Sequence, residues 1–247
     1  MRFTSATRIA FLAACSLQLV ARAGAQQPVP LDDEPSHHLA LANEYVRAFK
    51  VEVAPHASTL LHQHDRDYIF VTLGASSVEN DVLGKPPVRL QLRDGEARFA
   101  KGGFAHVAKN LSDQPFRNLT VELLKGGDSV VPCDHNKEPC GFQVGPNAAV
   151  AGLLIFAKSY QVLSGKNLEV RRTEIPAGLG LGKHTHAGPH LAVALTDLDL
   201  RSVDTNGKSK EIHQHAGDIS WIPGGLIHTL SNIGEQPAAI VTIEFKQ

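Results

Sequence analysis

Residues 178–186 read GLGLGKHTH, so that His184 and His186 stand two positions apart at the end of a glycine-rich run. The same spacing occurs earlier in the chain at His62 and His64, and the interval between the two pairs is 184 − 62 = 122 residues. Side chains two positions apart on a β-strand project from the same face. Each pair can therefore aim two imidazoles at one point.

A third histidine follows each pair after the same interval, at His106 and His228, and an asparagine follows each of these at Asn110 and Asn232. The third histidine has to come from another strand that folds back across a barrel. Imidazole nitrogens from two strands suit a transition-metal site. A repeat that keeps its histidines in register predicts two copies of one domain, each of which builds a similar site.

The first 25 residues have the features of an export signal. Two arginines precede an apolar run at 9–20, and small residues at 23–25 end it at the spacing of a cleavage site. We expect cleavage before Gln26 and a periplasmic or secreted bacterial protein. Lipidation at Cys15 is a competing interpretation, ranked lower because the apolar run before that cysteine is short, and a retained N-terminal anchor is another.

The charge balance argues against a polyanionic partner. The chain has 24 basic and 25 acidic residues, and loss of the export signal, with its three arginines, leaves 21 basic residues. Such a balance provides no basic field for nucleic acid. After residue 25, no apolar run approaches the length of a membrane span. We expect a soluble mature protein whose partner is a small-molecule ligand or substrate.

Two cysteines follow the first repeat, Cys133 and Cys140. In an oxidising compartment a close pair usually forms a disulfide, and the six intervening residues are rich in turn formers. A metal site that uses both cysteines and His135 is the alternative. It is ranked lower because no fourth ligand is evident nearby.

Short alternating or β-branched runs, such as 88–92 and 239–243, predict a mostly β architecture with turns between the strands. The predicted organisation is an export signal at 1–25, an irregular leader at 26–41, an N-terminal barrel at 42–125, a linker at 126–149 and a C-terminal barrel at 150–247. His37 and His38 fall in the predicted leader and are expected to be loop residues.

These residues resemble the cupin superfamily, and the two copies resemble a bicupin. The first cupin motif is a glycine-led HxH followed by a glutamate, and the second places a proline-glycine turn before a histidine and an asparagine. The second repeat carries them at 178–186 and 217–232, and the first carries them at 62–64 and 95–110, with Lys101 where the proline would stand. The resemblance implies an all-β fold of two tandem double-stranded β-helix (jelly-roll) barrels, with a divalent metal held inside.

The chain departs from the family pattern where the glutamate ligand should fall, because it has Tyr68 and His190 there. His190 can bind a metal, so the C-terminal site is predicted to hold four histidines: His184, His186, His190 and His228. The N-terminal site is predicted to hold three: His62, His64 and His106. Tyr68 is a poor ligand at neutral pH because a phenol titrates near pH ~10, and Asp67, one residue earlier, is expected on the opposite face if the strand has begun there.

We therefore expect one or two divalent transition-metal ions per chain, with the C-terminal site favoured on ligand count. Imidazole ligands do not distinguish Fe, Mn, Zn, Ni and Cu. The alternative is a barrel without metal, in which the histidines form hydrogen bonds in the core.

Several other residues carry weaker expectations. His213 and His215 share a strand face and are expected to be solvated or to lie between domains. Trp221 is expected to pack the barrel or line the mouth of the pocket. Glu122 and Glu244 recur at the repeat interval and are expected to pair with basic residues on the outer face.

The functional hypothesis is a metal-dependent enzyme that acts on a small oxygen-rich molecule. The resemblance permits dioxygenases, isomerases, lyases and decarboxylases and does not choose among them. Tyr68 is the candidate base. The alternative is a non-catalytic periplasmic module that binds a metal or small ligand. A homodimer stays open, because two fused cupins often mimic a dimer of single ones.

Overall fold

The computed structural model describes residues 27–133, 142–150 and 153–246. The regular secondary structure in these ranges is β-strand, apart from one 3-10 turn at Leu31–Asp33. The described part of the chain contains no helix with the length and hydropathy that a membrane crossing requires. The all-β jelly-roll fold predicted from the sequence is confirmed.

The first repeat forms two five-stranded sheets, in the orders β1-β4-β9-β6-β7 and β2-β3-β10-β5-β8. Their strands are Val29–Pro30 (β1), His37–Ala42 (β2), Val46–Val53 (β3), His62–His64 (β4), Tyr68–Thr72 (β5), Ser76–Val82 (β6), Val88–Leu92 (β7), Ala97–Ala100 (β8), Phe104–Asn110 (β9) and Phe116–Leu123 (β10).

The second repeat forms two further sheets, β11-β13-β14-β21-β16-β19, with β12 paired to β13, and β15-β20-β17-β18. Their strands are Val131–Pro132 (β11), Phe142–Val150 (β12), Leu153–Ser164 (β13), Leu168–Ile175 (β14), Gly180–His186 (β15), His190–Ala194 (β16), Leu198–Asp204 (β17), Ser209–Gln214 (β18), Ile219–Ile222 (β19), Leu226–Asn232 (β20) and Ala238–Phe245 (β21).

The central strands of one sheet in each repeat are buried on both faces, and this arrangement explains the consecutive apolar residues in β5 and β16. Ile69 and Val71 of β5 belong to a core cluster that also contains Leu191 and Val193 of β16. Because strand side chains alternate between faces, Tyr68 and its neighbours two positions on point instead into the first barrel. The largest apolar cluster of the protein therefore lies between the two repeats.

Each barrel also has its own interior cluster. Phe49, Val51 and Phe116 are among the residues in the first barrel, and Leu198 and Leu200 are among those in the second. The repeated histidines line these interiors together with apolar residues. The fold thus places each histidine set inside a barrel, away from the layer that the two repeats share.

The expectation of an irregular leader at 26–41 is wrong for most of that segment. β1 pairs in parallel with β4, and β2 pairs with β3 in the antiparallel direction. The prolines of the segment suggest an irregular chain, but the run HHLALA supplies the alternation of an edge strand. The predicted linker also contains strands, since β11 and most of β12 lie within 126–149.

Candidate metal centres

Three histidines of the second repeat converge in its barrel. β15 and β20 are antiparallel neighbours, and His184 lies directly opposite His228 in their register. His186 projects from the same face of β15 as His184. One ligand nitrogen of each of the three lies within 4.8 Å of the others. The structure thus brings together these three residues, which the sequence predicts as ligands.

Each of these imidazoles has a partner at its Nδ1 atom, which leaves Nε2 for a metal. The Nδ1 atom lies 2.8 Å from Gly182 O for His184, 2.8 Å from Glu244 Oε2 for His186 and 2.7 Å from Ser202 Oγ for His228. Such outer partners fix the tautomer and orientation of metal-binding histidines. Nε2 of His228 is buried and has no hydrogen-bond partner, and a metal ion would fit such an atom.

His190 lies in the same cavity but outside the close group of three. Its ring stacks on that of His186, with centroids 4.1 Å apart and planes 25° apart. Its Nδ1 atom is buried without a partner. The place of His190 as a fourth ligand stays a prediction, and the three-histidine group is the part that the geometry assembles.

The electrostatics of this site favour neutral imidazoles. Burial lowers the pKa of His190 and of His228 to about 4, and repulsion from neighbouring histidines adds to the effect. Burial also lowers the pKa of His184. Neutral imidazoles keep the lone pair that a metal requires, so the site is ready to bind a cation at neutral pH.

The C-terminal histidines open onto a cavity of about 330 Å³. Its apolar lining includes Leu181, Leu200 and Ile240, and its polar lining includes Arg171, Thr173, Ser159, Lys210 and Gln214. Cavities of ~300 to 1,000 Å³ are the usual size for small-molecule sites. This cavity, which we call the C-terminal cavity, can hold an ion together with a small molecule.

The first repeat builds the corresponding site on β4 and β9, where His62 lies opposite His106. Nδ1 of His62 donates to Leu60 O at 2.9 Å, and Nδ1 of His106 lies 2.5 Å from Asn80 Oδ1. His64, the third predicted ligand, has its Nε2 atom 3.2 Å from Nε2 of His62, whereas His106 lies outside the close group of ligand nitrogens in this barrel. Nδ1 of His64 and Nε2 of His106 are buried and have no hydrogen-bond partner.

A residue that the sequence analysis missed lies in this site. His37 is the first residue of β2, it is buried, and one of its nitrogens lies within 4.8 Å of ligand nitrogens of His62 and His64. The expectation that it is a loop residue is wrong. The repeat interval could not find it, because the corresponding residue of the second repeat is Ser159.

Tyr68 lies beside the N-terminal histidines, with its ring stacked 4.1 Å from that of His64. Burial raises the pKa of its phenol well above the ordinary value. A general base has to lose its proton near neutral pH. The base role of Tyr68 stays a prediction, and burial of the phenol weighs against it.

The N-terminal cavity measures only about 70 Å³. The two cavities differ because large side chains of the first repeat correspond to small ones of the second. Phe70 and Ala192 occupy matching positions, each opposite a threonine of the neighbouring strand. Phe116 likewise matches Ala238, because Phe116 lies opposite Val53 and Ala238 lies opposite Ile175, which is 122 positions further on. The first barrel has little room beyond its histidines.

The two repeated glutamates have different partners. Glu244 lines the C-terminal cavity and accepts from His186, so the expected outer-face pairing is wrong for this residue. Glu122 does pair with an arginine, Arg47, but its side chain is buried. The alternation of the strand explains the error, because both residues share a face with the barrel interior.

The remaining predicted residues have structural positions. His213 and His215 are exposed, as expected. Trp221 packs against Tyr45 and Phe245 between the repeats. Cys133 is disulfide-bonded, and Cys140, its predicted partner, lies outside the described residues, as do the predicted export signal and its cleavage site.

Comparisons with family models and with curated proteins find no match for this chain. Among solved structures, AerE from Microcystis aeruginosa is similar, with a TM-score of 0.55 and 14% identity over 87% of this chain and 99% of that one. A structure of Bacillus subtilis oxalate decarboxylase concerned with its Mn(II) centres is similar, with a TM-score of 0.56 and 13% identity over 87% of this chain and 76% of that one. At such identity the likeness shows the fold alone, which is a β-barrel jelly roll.

Proposed function

We propose that the chain is a metal-dependent enzyme whose reaction takes place in the C-terminal cavity, on a small oxygen-rich anion. The observation that carries this proposal is the meeting of three features. A convergent histidine group and two positively charged side chains line a cavity that has room for a small molecule, and the carboxylates of Glu169 and Glu244 lie beside them. The first barrel has the histidines but not the room.

His184, His186 and His228 would hold the metal, with His190 as the prospective fourth ligand. A divalent ion at this position would supply Lewis-acid activation of an oxygen atom or a bound water of lowered pKa. Glu244 keeps His186 in the orientation that binding requires, through the hydrogen bond from Nδ1. The donor set fits a transition metal and does not select one.

Arg171 is the residue best placed to receive an anion. Its side chain is 14% exposed and projects into the cavity from β14. It is held by Ser159, since Nε lies 3.1 Å from Oγ and Nη2 lies 3.1 Å from the carbonyl oxygen. Its Nη1 atom also lies 3.8 Å from Glu169 Oε1, so a small carboxylate would bind to the planar guanidinium in competition with Glu169.

Lys210 adds a second positive charge to the lining, and Thr173 and Gln214 add neutral polar groups. Apolar side chains on the other walls exclude water and strengthen these charges. The substrate class that fits is a small carboxylate or enediol-type molecule. The reaction type is left among decarboxylation or other lyase chemistry, dioxygenation and isomerisation.

The comparisons support manganese and oxalate as the first probes, because a similar solved structure is that of an oxalate decarboxylase with Mn(II) centres. These properties belong to that protein. We further propose that the chain is exported and acts outside the cytoplasm, as its N-terminal signal predicts.

The experiment measures the metal content of the full chain, purified from its natural compartment, in the wild type and in His184→Ala and His62→Ala. The manganese-loaded protein is then titrated with oxalate while the electron paramagnetic resonance spectrum of the ion is recorded. We expect His184→Ala to lose one ion together with the spectral response to oxalate, and His62→Ala to keep that response.

A chain that binds no metal in stoichiometric amount would overturn the proposal. An ion whose spectrum and bound water are unchanged by oxalate, and also by malonate and pyruvate, would argue for the alternative, a non-catalytic metal-binding module. Turnover assays with each of these acids would then establish the reaction type.

A further inference from the structure

The segment that begins the described chain lies against the N-terminal metal site. β1 runs parallel to β4, so that Val29 lies beside His62 and Pro30 lies beside Gln63. β2 follows after the 3-10 turn and pairs with β3, with His37 opposite Val51. The segment 29–42, which we call the N-terminal strap, therefore crosses the barrel beside the strand that carries two of the histidines.

His37 extends from the strap into the site. Its side chain is 5% exposed, and its ring centroid lies 4.8 Å from that of His62 and 6.1 Å from that of His64. Nδ1 lies 2.6 Å from Glu34 Oε2, so Nε2 is the nitrogen left for a metal. A carboxylate behind a histidine is the usual outer partner of a metal-binding imidazole.

The carboxylate of Glu34 is held in place by hydrogen bonds of its own. Its side chain is only 1% exposed, and it accepts hydrogen bonds from Ser36 N at 2.8 Å and from Leu60 N at 3.1 Å. The second of these bonds joins the strap to the chain just before β4. The carboxylate thus holds His37 and the barrel together in one network.

Two nitrogens in the site have no hydrogen-bond partner although they are buried, Nδ1 of His64 and Nε2 of His106. Leaving buried polar atoms unpaired is unfavourable, and an ion would remove that cost at Nε2 of His106. The cavity of about 70 Å³ is far below the ~300 Å³ at which small-molecule sites begin. It has room for an ion, but it is too small for a substrate as well.

We propose that His37 joins His62, His64 and His106 in a four-histidine metal site, and that the bound ion fastens the N-terminal strap to the first barrel. The ion has a structural role here and is not exposed to substrate. The corresponding position of the second repeat is Ser159, which cannot supply the same fastening. This inference concerns a different site from the proposed enzyme centre and does not depend on it.

The test uses the full chain with both His184→Ala and His228→Ala, which remove two ligands of the C-terminal site, after removal of metal with a chelator. Zn²⁺ is titrated by calorimetry, and hydrogen exchange of the strap amides is followed by mass spectrometry with and without Zn²⁺. Further variants are His37→Gln, which keeps a buried polar side chain, and His38→Gln as the matched control, since His38 is exposed on the other face of β2.

We expect one Zn²⁺ to bind and to slow exchange in residues 29–42. His37→Gln should weaken Zn²⁺ binding by about tenfold or more, as loss of a ligand or its support does, and should abolish the slowed exchange. His38→Gln should change neither. Equal Zn²⁺ affinity in the two variants, or strap exchange that Zn²⁺ leaves unchanged, would overturn the proposal, as would absence of binding at this site.

Discussion

Glu244 Oε2 lies 2.8 Å from Nδ1 of His186, whereas the corresponding carboxylate of the first repeat, Glu122, bonds to Arg47 at 2.9 Å. The matching histidine, His64, is consequently left with a buried Nδ1 atom that has no partner. The carboxylate at this repeated position therefore supports the motif histidine in the second repeat and not in the first. The C-terminal site has the orienting carboxylate that metal-binding imidazoles generally have.

The first prediction follows from this carboxylate. Glu244→Gln should weaken metal binding at the C-terminal site by about 10- to 100-fold, because an amide is a weaker acceptor for the imidazole N–H. The measurement is a Zn²⁺ titration of the chain with His62→Ala. Glu122→Gln in the same background is the matched control and should bind as the parent does. Equal Zn²⁺ affinities for the two variants would show that Glu244 does not contribute to metal binding.

Arg171 provides a second prediction, which separates anion binding from metal binding. Arg171→Met should raise the dissociation constant for oxalate by about tenfold or more, because charge-assisted hydrogen bonds contribute ~1.5–3 kcal/mol, while the metal content stays unchanged. Oxalate titration of the manganese-loaded protein measures it. Arg201→Met is the control, since Arg201 pairs with Glu211 on the surface. If oxalate binds both variants equally well, the anion is bound elsewhere.

Acid should destabilise the metal-free chain over a defined range of pH. Burial lowers the pKa of His62 to about 4 and that of His106 to about 3, from an ordinary value of 6.5. The unfolded chain therefore binds more protons than the folded chain below about pH 6.5, and stability falls as the pH drops toward 4. Urea unfolding of chelator-treated protein at several pH values measures this loss.

The same measurement on His62→Gln gives the contrast, because removal of one buried histidine should reduce the slope of unfolding free energy against pH. An unchanged slope would mean that His62 is already protonated in the folded state. Metal should oppose the loss in the wild type, since protons and metal compete for the same nitrogens.

The motif asparagines should matter for stability and not for metal binding. Asn232 is buried, its Nδ2 atom donates to Ile175 O and Gln236 O, and its Oδ1 atom accepts from Gly234 N. Asn232→Ala should lower the free energy of unfolding by about 1–3 kcal/mol, because it leaves buried backbone groups unpaired. Denaturant unfolding measures it, with the exposed Asn206→Ala as control. Loss of metal without loss of stability would contradict this role.

The export prediction can be tested on the natural protein. Intact-mass and N-terminal analysis of the exported chain should find Gln26 as its first residue. A chain that begins at Cys15 with attached lipid would establish the lipoprotein interpretation instead. A chain that keeps residues 1–25 would establish the anchor.

Much of the site follows from spacing alone, since the repeat interval associates His62 with His106 and His184 with His228. The register of the strands then brings each pair face to face. Spacing could not find His37, because it comes from a strand outside the motifs and has a serine as its counterpart. The partner of a residue in another strand is a property of the packing, not of the local sequence.

The sizes of the two cavities could not be predicted from the sequence either. The exchange of Phe70 for Ala192 and of Phe116 for Ala238 is visible in the sequence, but its effect depends on these positions facing the barrel interior. The hydrogen-bond partners of the two repeated glutamates differ because an arginine lies opposite the first one. The pairing of the strands shows this, and the spacing in the sequence does not. The fold class and the histidine ligands could be predicted from the sequence. The size of each cavity and the charged partners of the repeated glutamates could not.

The apolar layer between the repeats has a consequence for how the two halves could diverge. Residues such as Ile69 and Leu191 are fully buried in that layer, so one repeat produced alone would expose this apolar surface to solvent. Two separate copies meeting through this face would have to be identical. When the two copies are joined in one chain, their sequences can differ. One barrel can then fill its interior with aromatic side chains, while the other keeps a cavity.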